Sequence, residues 1–307
     1  MNRDEFVAYA ENLDDKILLD KACEMRLASE QRIPNEIKEQ FRKLDDKTSV
    51  EEIYVTTAFG NTHLFIIRPN KVINSQLPIV INVHGGGWCL PHAERDIYLC
   101  RRIAVKCKCL VIDIDYVLAP EFPYPSAILE IEALLNELPV LSSKWNGDIN
   151  NILFCGQSAG GNLVAAVCQR KRFPSVLNLR SQILCYFPAD NFENHFGDKE
   201  LSEREISSEY YGFFYNKKFD DRKISDVSLV YASKEDILNL PKTHIILCGQ
   251  DPLMPEGKKY YYLLKGYSAD VTYKIFQNSH HGFLVNLYDE WQEGENYLTQ
   301  LIIESLN

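Results

Sequence analysis

The sequence predicts an α/β protein whose sheet is mostly parallel and covered by helices on both faces. Three observations predict it. Short, near-continuously apolar runs recur along the chain, as strands buried on both faces require. They alternate with stretches of helical spacing, the pattern of strand–helix–strand crossovers. And 307 residues, 46% hydrophobic and 25% charged, suffice for a sizeable core in one large domain or two small ones.

Residues 1–49 are polar, with apolar residues at helical spacing (Phe6, Ile17, Leu18, Leu19, Met25, Leu27, Ile37, Phe41, Leu44) and a break at Pro34. This predicts two or three amphipathic helices lying on something larger. Residues 51–57 and 62–68 read as strands joined by the turn Phe59-Gly60-Asn61. The run 78–83 is a buried strand, 94–108 a helix and 110–114 the next strand. Helix 126–138 and strand 151–155 follow, then a helix rich in small residues from 159 to 168, then strand 181–186. The alternation stops over 190–231, which is polar and aromatic (Tyr210, Tyr211, Phe213, Phe214, Tyr215, Phe219) and reads as an insertion. It resumes with strand 244–248, a helix near 257–265, strand 271–276 and a last helix over 283–306. No repeat or low-complexity tract is present.

Composition removes several classes of function. A formal charge of −10 gives no general attraction to nucleic acid or to an anionic membrane. No apolar run approaches the roughly 20 residues of a membrane helix, so no stable membrane association is expected. The opening Met1-Asn-Arg-Asp-Glu-Phe lacks the apolar segment of a secretory signal. Nine cysteines, an odd number, lie mostly within apolar runs; Cys107-x-Cys109 is too tight for usual zinc spacing. They read as buried thiols of a reducing, cytoplasmic compartment.

Four motifs carry chemistry. Gly156-Gln157-Ser158-Ala159-Gly160 sits between a strand and a helix, so Ser158 occupies a sharp turn and the glycines allow close neighbours. His84-Gly85-Gly86-Gly87-Trp88 follows the strand ending at Val83, and successive glycines leave backbone N–H groups open to an anion. Asp251-Pro-Leu follows the strand ending at Cys248, and His280-His281-Gly282-Phe283 follows the last strand. The order serine, aspartate, histidine is that of an α/β-hydrolase triad: a nucleophile, an acid that orients the base, and the base.

Together these motifs resemble the hormone-sensitive-lipase family of α/β-hydrolase esterases. The resemblance rests on His-Gly-Gly-Gly-Trp at 84–88, Tyr-x-Leu-Ala-Pro-Glu-x-Pro-x-Pro at 116–125, Gly-x-Ser-Ala-Gly-Gly at 156–161, Asp251-Pro-Leu and His281-Gly-Phe, spanning 84–283. It implies an α/β-hydrolase fold of about eight strands, with a helical cap built from 1–49 and from the insertion 190–231 on a core of 50–189 and 232–307. It implies a serine carboxylesterase for small, short-acyl esters, with Ser158, Asp251 and His281 catalytic and the amides of Gly86, Gly87 and Ala159 holding the oxyanion. Such chemistry requires no metal or organic cofactor, and its partner is a small-molecule ester. An amidase or deacylase using the same triad, and a ligand-binding relative without catalysis, stay open as alternatives. Lipase action at an interface has little support in so acidic a chain. Monomer and homodimer are both compatible with the sequence.

Other residues compete for these roles. Asp190 is the second candidate acid, and the Pro-Leu that follows Asp251 favours Asp251; His280 is the second candidate base. His84 reads as structural. Trp88 and Tyr116 read as packing of the pocket wall, with substrate contact as the sharper alternative. Glu121 is either a turn residue or a support of the site, and the aromatic residues 210–219 either line the acyl pocket or pack the cap. His63, His92, His195 and His244 read as core or surface histidines. Gln157 departs from the aspartate common in the family, and Pro255 replaces a frequent acidic residue.

Overall fold

The structure, a computed structural model, describes residues 1–29, 35–71, 76–193 and 195–307; the break expected at Pro34 and the Ile37 side chain lie outside this description. Three helices open the chain, α1 (Arg3–Glu11), α2 (Asp15–Ser29) and α3 (Asn35–Arg42). The core follows as β1 (Thr48–Thr56), β2 (Asn61–Pro69), β3 (Leu77–Val83), α4 (Glu94–Cys107), β4 (Leu110–Asp115), α5 (Ser126–Lys144), β5 (Gly147–Gln157), α6 (Ala159–Arg170) and β6 (Leu179–Cys185). Then come α7 (Glu203–Tyr215), two short 3-10 turns (Phe219–Lys223 and Leu229–Tyr231), α8 (Lys234–Ile237), β7 (Lys242–Cys248), α9 (Met254–Gly266), β8 (Val271–Phe276), α10 (Phe283–Asn286) and α11 (Trp291–Leu306).

The strands form one eight-stranded sheet in the order β1-β2-β4-β3-β5-β6-β7-β8. Only β1–β2 and β2–β4 pair antiparallel; β4 through β8 are parallel. Strand side chains alternate between faces, and the two cores follow from that alternation. Ile79, Ile81 and Val83 of β3 pack with α5, α6 and α9 on one face, while Val80, Val111, Leu153 and Ile183 pack with α4 and α11 on the other. A third cluster joins the N-terminal helices to α7 through Phe6, Ala10, Leu18, Ala22, Tyr210, Phe213 and Phe214. In it the Phe6 ring meets Tyr210 edge-on at 5.0 Å.

Three expectations change in detail. The helix from 126 continues to Lys144 through Pro139, because Leu138 and Leu141 on either side are buried and hold it against the sheet. The strand before Ser158 starts at Gly147. The last helix is two helices, interrupted at Leu287, Tyr288, Asp289 and Glu290, where Leu287 and Asp289 have φ of 59° and 53°. Carboxylates in the interruption take backbone hydrogens from the preceding loop: Asp289 from His280, and Glu290 from Asn278. None of the nine cysteines is in a disulfide; seven are buried, while Cys23 is exposed and Cys107 partly so. Among the described residues no helix is long and apolar enough to cross a membrane.

Candidate active site

β5 and α6 meet at Ser158, whose backbone sits at φ 51°, ψ −123°. A non-glycine residue there is strained, and the surroundings hold it. The Ser158 N–H donates to the Cys185 carbonyl at 2.9 Å, and its own carbonyl accepts from Gly161 at 2.9 Å. The flanking glycines are required by contact. A Cβ on Gly156 would strike the Gly160 carbonyl, and one on Gly160 would strike the carbonyl of Val83. The sharp turn therefore needs both positions bare.

His281 reaches Ser158 from the loop after β8. Its Nε2 lies 2.8 Å from the Ser158 Oγ, and its Nδ1 lies 2.7 Å from the Asp251 Oδ2. Asp251 comes from the turn after β7, and its other oxygen accepts from the Leu253 N–H at 3.0 Å. The carboxylate is buried and the imidazole is 31% exposed. The Tyr186 ring meets the imidazole edge-on at 5.2 Å, and the Tyr288 hydroxyl donates to the His281 carbonyl. The competing residues are engaged elsewhere. Asp190 accepts from Lys259 at 2.9 Å and from the N–H groups of Phe192 and Glu193. His280 is paired with Asp289.

The glycine loop starts against the nucleophile turn. A Cβ on Gly85 would come 3.2 Å from the Ser158 Cβ. Gly86 and Gly87 have φ of 126° and 58°, and among the described residues neither they nor Ala159 donate a backbone hydrogen bond. The Gly86 carbonyl closes the loop by accepting from Cys89 and Leu90. His84 holds the loop's start: its buried ring stacks on Tyr116 at 4.4 Å and its Nδ1 lies 2.6 Å from the Gly85 carbonyl. Burial pushes its pKa down, with His92 adding to the effect. The structure places Trp88 and Tyr116 in the core, Trp88 stacked on Tyr215 at 4.5 Å and Tyr116 donating to the His84 carbonyl.

Residues 80–285 match the family described as the α/β hydrolase fold. The chain belongs to that family. The hydrolase is 28% identical over 220 residues to a carboxylesterase of Mycobacterium tuberculosis, covering 69% of this chain and 68% of that one. It is 27% identical over 247 residues to a putative α/β hydrolase of Acanthamoeba polyphaga mimivirus, covering 78% and 70%. Among solved structures it superposes on the esterase of Pyrobaculum calidifontis with a TM-score of 0.75 at 26% identity, covering 91% of this chain and 97% of that one. The α/β-hydrolase fold expected from the motifs is thus the fold observed.

The sequence does not reveal what surrounds the motifs of the hydrolase. Arg26 of α2 donates to the carbonyls of Cys89 and Ala119, at 2.9 Å each, and to both oxygens of Glu121, at 2.6 and 2.7 Å. Glu121 is therefore a tether, and the guanidinium beside it holds its carboxyl below the usual range. Tyr211 of α7 rests its ring on Gly87, where a Cβ would collide with it. Glu256, in the first turn of α9, is buried and accepts from the N–H groups of Ala189 and Asp190; burial pushes its carboxyl well above the usual range. Gln157 is buried beside the nucleophile and donates to Asn82 at 3.0 Å. Each of these pairs is distant in sequence, so no local pattern announces it.

Proposed function

We propose that the protein is a serine carboxylesterase acting on small, short-acyl esters. The observation that carries this reading is the hydrogen-bonded line from Asp251 through His281 to Ser158, with Gly85 close against Ser158 and the N–H groups of Gly86 and Gly87 not engaged in backbone hydrogen bonds among the described residues. The esterase and carboxylesterase names of relatives point the same way.

In this reading His281 Nε2 takes the Ser158 proton as Oγ bonds to the acyl carbon. The Asp251 carboxylate fixes the tautomer and stabilises the imidazolium. The amides of Gly86, Gly87 and Ala159 receive the developing oxyanion, where losing one donor costs about 2.7–4 kcal/mol. The tetrahedral adduct collapses, and the alcohol leaves with the proton His281 returns. Water then attacks the acyl-enzyme by the same steps, giving the acid and free Ser158.

The cap in this proposal is 1–49 together with 190–231, supported by their shared cluster of Phe6, Leu18, Tyr210 and Phe213. Tyr211 supports the short-acyl preference, because its ring brings α7 onto the loop that faces Ser158. Hydrolysis of nitrophenyl esters from acetyl to decanoyl tests both parts. Ser158→Ala is expected to remove the activity and acetyl to butyryl esters to turn over best. Retained activity in the variant overturns the nucleophile, and a long-chain optimum overturns the acyl preference.

A further inference from the structure

Gln157, the residue beside the nucleophile, begins a buried polar row that the reaction above does not use. Its Nε2 donates to the Asn82 Oδ1 at 3.0 Å. The Asn82 Nδ2 donates to the Asp113 Oδ1 at 2.7 Å, and the His92 Nε2 donates to the Asp113 Oδ2 at 2.7 Å. Asn82 and Asp113 are directly opposite in the β3–β4 register, and Asn82 is opposite Cys155 in β5. Gln157 is two residues on from Cys155 and so shares its face. The row therefore crosses three central strands under the site, and Gln157, Asn82 and Asp113 are essentially inaccessible to solvent.

The two ends of the row attach to the two halves of the site. Gln157 precedes Ser158. His92 stands just past the glycine loop, stacked on Phe65 at 4.5 Å and edge-on to His84 at 5.2 Å. Every donor along the row points towards Asp113. An amide has distinct donor and acceptor ends, and a carboxylate only accepts. With Asn82 oriented by Asp113, its oxygen faces position 157, so that position must supply a donor. A second carboxylate there would meet an acceptor at a position closed to bulk solvent.

We propose that Asp113 is a positioning residue that ties the nucleophile turn and the glycine loop to one buried carboxylate, and that Gln157 is an amide because this row accommodates a single negative charge. A carboxylate at position 157 and the carboxylate at 113 are then mutually exclusive occupants of this row. If the charge moves, the row reverses. In a Q157E/D113N chain, His92 donates to the new amide oxygen at position 113. That amide donates to the Asn82 oxygen, and the Asn82 amide donates to the new carboxylate at position 157, so the row keeps its three hydrogen bonds with their direction reversed between 113 and 157.

The proposal rests on the nucleophilic role of Ser158, and the test separates the two. Phosphonylation of Ser158 by a fluorophosphonate is timed at pH 8, alongside kcat and KM for a nitrophenyl ester, in wild type, Q157E, D113N and Q157E/D113N. Coupling between buried neighbours predicts that Q157E lowers labelling rate and kcat about tenfold or more with KM little changed, and that adding D113N returns both to within about threefold of D113N alone. If Q157E does not fold, recovery of a folded, labelled protein on adding D113N is the expected result. A double variant no better than Q157E, or a Q157E enzyme as fast as wild type, overturns the proposal. Wild type that neither labels nor hydrolyses overturns the nucleophile reading instead.

Discussion

His281 leans on Asp251 at 2.7 Å with the carboxylate buried and the ring about one-third open to solvent. The carboxylate can orient the ring only as an acceptor of the Nδ1 hydrogen. Asp251→Asn keeps the shape and offers a donor, which favours the tautomer with its hydrogen directed at Ser158. We expect kcat to fall about 10⁴-fold with thermal stability nearly unchanged, measured by ester hydrolysis and calorimetry. A fall of less than tenfold would contradict the orienting role.

Arg26 binds two backbone carbonyls and both oxygens of Glu121, joining α2 to the end of the glycine loop and to the Leu-Ala-Pro-Glu segment. Arg26→Ala leaves two carbonyls unpaired, so chemical denaturation should show a loss of about 1–3 kcal/mol. Glu121→Gln removes only a partly exposed charge and should cost less than about 1 kcal/mol. Arg26→Lys should behave more like the alanine variant than like wild type, because one ammonium cannot reproduce the fork. Equal stability for all three would mean that the tether contributes nothing.

The His92–Asp113 pair makes stability depend on pH in a defined direction. Burial alone would lower the His92 pKa, but the Asp113 charge and hydrogen bond, with Asp96 and Asp115 nearby, raise it to about 9; the His84 ring lies edge-on to His92, and the Cys100 thiol is hydrogen-bonded to Asp113. A folded-state pKa above the unfolded 6.5 means that this stabilisation is complete below pH 6.5 and is lost as pH rises through 9. Burial opposes ionisation of Asp113, yet His92 and the Asn82 hydrogen bond lower its pKa below 3.8, so its contribution is present above 3.8 and lost as pH falls through the folded value. The difference in unfolding midpoint between wild type and His92→Gln should therefore narrow from pH 7 to pH 9.5. A constant difference across that range would rule the linkage out.

Gly160 and Gly266 should respond oppositely to the same change. A Cβ at Gly160 would overlap the Val83 carbonyl, a backbone atom of the central strand, whereas one at Gly266 meets nothing within 4 Å. Gly160→Ala should cost about 4 kcal/mol or more and abolish hydrolysis. Gly266→Ala at the end of α9 should stay within about 1 kcal/mol of wild type or improve on it. Denaturation midpoints of the two variants make the comparison.

The alternation of strands and helices was legible because it is local: apolar runs and turn residues lie next to one another in the chain. The candidate site residues were legible for a related reason, since Ser158, Asp251 and His281 each sit in a short motif directly after a strand. What holds the site was not. Gln157 and Asn82 are 75 residues apart, and Arg26 and Glu121 are 95 apart. Nothing near Gln157 in the sequence says that its amide faces an acceptor. The break at 287–290 is not legible because helical spacing runs through it, while hydrogen bonds to the loop 9 and 12 residues earlier decide against it. Helix 126–144 errs the other way, its buried flanks overriding Pro139.

That break also bears on how the protein is made. His281 follows Asp251 by 30 residues, and Tyr288, whose hydroxyl steadies the His281 carbonyl, follows it by 7. Domains generally fold as units as a chain emerges from the ribosome. His281 is thus among the later core residues to be synthesised, and its loop is hydrogen-bonded to Tyr288, Asp289 and Glu290, which are made after it. A chain ending before residue 290 would lack the Glu290 contacts to Asn278 and Ser279 that secure the loop carrying His281, so in the proposed mechanism Ser158 gains a fixed partner only when nearly all of the core has been synthesised.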